Sequence, residues 1–134
     1  LYLANNEAFL GETIMNYVIG TAILLVAVLH LYFLYLEMFQ WTAPLGLKTF
    51  RNDAEFAKKS AVLAANQGLY NGFLAAGLIW SVISEGQASL HLKFFFLTCV
   101  IIAGIYGGYS ANKKIFFIQA LPAIIAIILV SFFA

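Results

Sequence analysis

Four long stretches of this chain carry no charged side chain: Thr13–Leu36, Ser60–Ser84, Phe94–Asn112 and Ile115–Ala134. All seven basic and six acidic residues fall outside them. A helix crossing the hydrocarbon of a bilayer needs about 20 mostly apolar residues, and each run meets that length. Charged residues make up 10% of the chain and mean hydropathy is +0.93, where a soluble domain carries about a quarter charged residues. The expectation is an all-α, polytopic membrane protein, a four-transmembrane-helix bundle with spans near 15–39, 61–83, 92–110 and 115–133.

That pattern excludes a soluble enzyme, a nucleic-acid binder and a disulfide-stapled secreted domain. Cys99 is the single cysteine and forms no intrachain bridge. A net charge of +1 provides no basic face for nucleic acid. The longest loop, Gln40–Lys59, is too short for a catalytic domain outside the membrane.

The first run is too long for a signal peptide, and its flank holds Glu7 and Glu12 rather than basic residues. Met15 stands at its start as a natural initiator, so residues 1–14 read as an N-terminal tail or a vector-derived remnant, and 15–134 as the transmembrane domain. Lys48, Arg51, Lys58 and Lys59 lie in the first loop and Lys113 and Lys114 in the third, against Lys93 alone on the other side. Basic residues in short loops stay cytoplasmic. Loops 40–60 and 111–114 are therefore expected inside and both termini outside, in a bacterial inner membrane. Trp41 and Trp80 sit where indoles prefer the interface. Asn52 with Glu55 has capping-box spacing, which predicts a helix from about Asp53 running unbroken into the second span. Pro44 and Gly46 mark the turn before it.

Gly68, Gly72 and Ala76 recur every four residues, as do Gly104 and Gly108 beside Ala103 and Gly107. Such spacing lets helix backbones approach closely in lipid, for packing within the chain or for dimerisation. On a helical wheel the three small residues of the second run share one side, and Asn66, Gln67, Tyr70 and Asn71 share the other. The second helix thus has a packing seam and a polar face.

Ionisable and amide side chains inside a span are costly and point to function. Here they are His30 and Glu37 in the first span, Asn66, Gln67, Tyr70 and Asn71 in the second, Tyr106 and Tyr109 in the third, and Gln119 in the fourth, followed by Pro122. Under the expected topology most of them share the inner half of the membrane. These nine residues are the candidate ligand pocket. Each also has a plainer role: Glu37 can snorkel to the headgroups, a buried His30 can bond a neighbouring helix, the amides can join helices, and Pro122 can simply kink one. His91 reads as an interfacial residue of the outer loop. No catalytic set, cofactor motif or metal-ligand spacing stands out.

The stretches His30–Trp41 (HLYFLYLEMFQW) and Ala64–Gly77 (AANQGLYNGFLAAG), with Gly104-Ile-Tyr-Gly107 and Gln119-Ala-Leu-Pro122, closely resemble a family of small bacterial membrane proteins, domain of unknown function 1304. The resemblance extends from about Met15 to the C-terminus. It implies a small four-span inner-membrane protein and assigns no activity and no residue role. Three functions fit: binding or transport of a small molecule or lipid through the inner pocket; an accessory or scaffolding subunit of a larger membrane complex; or an intramembrane enzyme using Glu37 and His30. Expected partners are the lipid bilayer, a second copy or a larger membrane complex, and a small-molecule or lipid ligand, with no nucleic acid.

Overall fold

The computed structural model describes residues 2–134, which are helical almost throughout and contain no strand. In order they form α1 (Tyr2–Phe39), α2 (Pro44–Phe50), α3 (Ala54–Ile83), α4 (Gly86–Ser110) and α5 (Lys113–Ile115), then a π-helical turn (Phe116–Ala120) and α6 (Leu121–Phe133). The expected tail is, from Tyr2 onward, the same unbroken helix as the first span; Leu1 lies outside the described residues. Three segments, Phe9–Phe39, Gly86–Ser110 and Lys113–Phe133, are long and apolar enough to cross a membrane. Helix α3 is not among them. Its 30 residues extend about 45 Å, ample for a span, but Asn66, Gln67, Tyr70 and Asn71 dilute its apolar character.

Two boundaries differ from expectation. The second loop shrinks to Ser84–Glu85, because α4 starts at Gly86 rather than near 92. Gly86 has φ +59°, a left-handed conformation that glycine adopts without strain, and this lets the chain reverse within so short a link. His91 is consequently an exposed residue of α4 and not of a loop. At the start of α3 the cap is Asp53, one residue later than expected: its Oδ1 accepts the Phe56 N–H at 2.8 Å. Glu55 does not reach back as a capping box requires, and instead pairs with Lys59 at 2.6 Å.

The chain divides into two compact units. One comprises Ala27–Ala76, that is, the second half of α1, α2 and most of α3. Here a Cβ on Gly68 would lie 2.6 Å from Met38 Cγ and 3.2 Å from the Leu34 carbonyl oxygen, and one on Gly72 would lie 2.7 Å from Leu34 Cδ1. The glycine seam of α3 is therefore used within the chain, against α1. Past the end of α1, Trp41 Nε1 donates to Ser60 Oγ at 3.1 Å and its ring packs on Phe50, centroids 4.7 Å apart. That contact ties the α2 segment onto α3.

The other unit comprises the first part of α1, through Val26, with Gly77–Ala134. Gly104 packs on the Ala120 backbone, where a Cβ would come within 2.6 Å of the Ala120 nitrogen, and Gly108 packs on Phe116. Both glycine seams expected from the sequence thus have partners inside the chain. Ser89 Oγ donates to the Ser81 carbonyl at 2.8 Å and Ser81 Oγ to that of Leu78 at 2.6 Å, so two buried hydroxyls are satisfied. The π turn, closed by Leu121 N–H donating to the Phe116 carbonyl, ends two residues before Pro122. Proline has no N–H to continue the α pattern, and the helix widens by a residue just before it, where the sequence suggests a simple kink.

Candidate functional site

The feature with most chemical content lies within the Ala27–Ala76 unit. Glu37 occupies the last turn of α1, and Asn71 lies on α3 between the two glycines that let α3 approach α1. Asn71 Nδ2 donates to Glu37 Oε2 at 2.7 Å. Asn71 is 5% exposed and Glu37 is half-buried. The local sequence accounts for the contact: with Gly68 and Gly72 facing α1, only a residue beside that seam can reach across, and Asn71 is the polar residue so placed. A carboxyl group near the helix end and fixed by a neutral amide is held in one orientation. It can accept a further hydrogen bond or face a cationic group.

The other expected pocket residues are distributed differently. Asn66, Gln67 and Tyr70 are exposed on α3, away from the glycine seam, with Tyr70 edge-on to Phe73 at 6.0 Å between centroids. His30 is fully buried and edge-on to Phe33 at 5.6 Å; it precedes Glu37 by two helical turns, about 10.5 Å of rise. In the other unit, Tyr106 and Tyr109 are exposed, Tyr109 to 90%, and Gln119 is half-buried within the π turn. Of the α1–α3 part of the set, the structure thus joins Glu37 to Asn71 by a hydrogen bond. Among the described residues no three His, Cys, Asp or Glu side chains come together as a metal site.

Sequence reasoning passes over one feature of the second unit, a groove of about 290 Å³ lined by Ile105, Gly108, Tyr109, Lys113, Phe116 and Phe117. Its signal is the pairing of Gly108 and Tyr109 with a lysine and two phenylalanines across a short turn, a pattern that on sequence alone speaks only of packing and topology.

The sequence matches the family described as protein of unknown function (DUF1304) over residues 24–131, a match that begins later in the chain than the resemblance suggests. It is also similar to the uncharacterized protein YpaA of Lactococcus lactis subsp. lactis, with 36% identity over 107 residues, covering 78% of this chain and 89% of the relative. No solved structure matches it.

Proposed function

Since this chain belongs to the family of proteins of unknown function DUF1304, its role has to be argued from its own residues, and we propose a four-span protein of the bacterial inner membrane that binds or transports a small polar molecule or a lipid headgroup. The observation that carries this reading is the bond from Asn71 to Glu37. Carboxyl and amide groups inside membrane helices are costly to keep and commonly mark ligand or ion pathways. Helix α3, whose length suffices to span, is the fourth crossing. Its amides are tolerated because Asn71 is bonded to α1 and because Asn66 and Gln67 approach the inner headgroup level. The basic residues of loops 40–60 and 111–114 support a cytoplasmic position for these loops, with both termini outside.

Native mass spectrometry of the protein extracted from its host in mild detergent tests the reading. A discrete added mass is expected, and it should be lost in Asn71→Leu while the helical circular dichroism stays intact. A bare wild-type mass, or a ligand retained equally by the variant, refutes a site at this pair.

A second reading draws on the exposed face of α3. Asn66, Gln67 and Tyr70 point away from the chain's own packing seam, and hydrogen-bonding side chains at that position suit a partner helix. An accessory subunit would then co-purify at fixed stoichiometry with another polypeptide or a second copy, and a clean monomer counts against it.

A further inference from the structure

The C-terminal hairpin has an unusual charge distribution. After Glu85 the sequence contains no acidic residue, whereas it contains Lys93, Lys113 and Lys114. Lys113 and Lys114 are exposed at the α4–α5 turn, and neither forms an ion pair among the described residues. Beside them lies the groove of about 290 Å³. Its walls are apolar: Ile105 on α4, and Phe116 and Phe117 on the returning π turn. Gly108 forms its floor, since the close approach of Phe116 leaves no space there for a side chain. Tyr109 and Lys113 complete its almost wholly apolar lining, and Tyr109 stands almost fully exposed. From Ile105 to Tyr109 the helix rises about 6 Å, so an open apolar groove of that length lies next to the two exposed lysines.

We infer that this groove is a binding site for an anionic phospholipid, with an acyl chain lying along Ile105, Gly108 and the two phenylalanines and the phosphate held by Lys113, Lys114 and the Tyr109 hydroxyl. The two halves of the site ask for different chemistry. Lysines that no carboxylate of their own hairpin neutralises select an anion, and the apolar walls require that the anion carry a hydrocarbon tail. A phospholipid of the cytoplasmic leaflet has both, and basic pockets between membrane helices on that side recognise anionic headgroups. The inference rests on the membrane placement proposed above and is independent of the Glu37–Asn71 site.

The test is native mass spectrometry and lipid titration of the full chain in nanodiscs, comparing phosphatidylglycerol with phosphatidylcholine. Wild type should retain one phosphatidylglycerol, preferring it to phosphatidylcholine. With each interfacial lysine contributing roughly a fivefold factor, Lys113→Gln with Lys114→Gln should reduce that preference about 25-fold. Ile105→Trp, a change at an exposed position, should fill the groove and weaken retention of both lipids. Inorganic phosphate at equal concentration should not compete. Equal retention of the two lipids by wild type, a preference that survives loss of both lysines, or full competition by inorganic phosphate overturns the inference. Failure of the chain to enter nanodiscs overturns the membrane reading itself, whereas loss of lipid preference in an inserted chain overturns only the groove.

Discussion

A double-mutant cycle on Glu37 and Asn71 measures what their contact contributes to the fold. The bond is short, 2.7 Å, with its donor 5% exposed. Interhelical hydrogen bonds in membrane proteins couple by about 0.6 kcal/mol on average and at most about 1.7 kcal/mol. A nearly buried amide held against a carboxyl by a glycine seam belongs near the upper figure, so a coupling of about 1.5 kcal/mol is expected between Glu37→Leu and Asn71→Leu. Each single substitution strands the other group and should cost about 1–3 kcal/mol. The double variant should therefore be less destabilised than the sum of the two. Glu37→Gln keeps an acceptor oxygen at the same place and should cost under about 1 kcal/mol. Reversible unfolding in mixed micelles, followed by circular dichroism, supplies all four corners of the cycle. Additivity within about 0.3 kcal/mol would show that the two side chains do not meet in the membrane, and would remove the observation on which the proposed function rests.

Three further outcomes follow from named contacts. Gly104→Ala should destabilise by about 1–2 kcal/mol, because the added Cβ meets backbone atoms of Ala120 that cannot yield; Gly11→Ala, with nothing within 4 Å, should be neutral or raise stability by up to about 1 kcal/mol, and the same unfolding assay compares them. Asp53→Ala removes the cap of α3 and should cost about 1 kcal/mol, with amide hydrogen exchange rising first around Phe56. In a Cys99→Ser background, Lys58→Cys should label only from the cytoplasmic face and Glu85→Cys only from the outside; labelling of both from one side refutes the topology.

How much is legible in the sequence depends on whether the deciding neighbour is local. Charge-free runs announce the helices, and the glycine spacing announces two close approaches, which the structure assigns to α1 and to the π turn. The start of α3 is readable to within a residue, although its cap is Asp53 and not Asn52. The polar cluster is harder. A helical wheel gives the relative angles of Asn66, Gln67, Tyr70 and Asn71 but not which of them a neighbouring helix will cover. Once Gly68 and Gly72 turn toward α1, Asn71 alone lies at the edge of the seam, and Asn66 and Tyr70 rotate to the far side. Run length alone also overstates the lipid preference of α3, since it ignores what four polar residues do to an otherwise apolar helix. The two-residue link at Ser84–Glu85 is hidden because Gly86, His91 and Lys93 look like loop residues until a left-handed glycine permits the sharp reversal.

The π turn before Pro122 has a consequence for the last helix as a whole. Such a turn accommodates one residue more than an α-helix does over the same rise, so everything beyond it sits about 100° behind its place in an unbroken α-helix of the same sequence. Ala123, Ala126 and Val130 form the buried side of α6, while Phe116 and Ala120 meet the glycines of α4 ahead of the shift. Deleting one residue from Phe116–Ala120 would therefore restore a regular α-helix and leave those three small side chains on the side they now bury, whereas deleting Ile124, where no extra residue is stored, would swing Ala126 and Val130 off that side by about 100°.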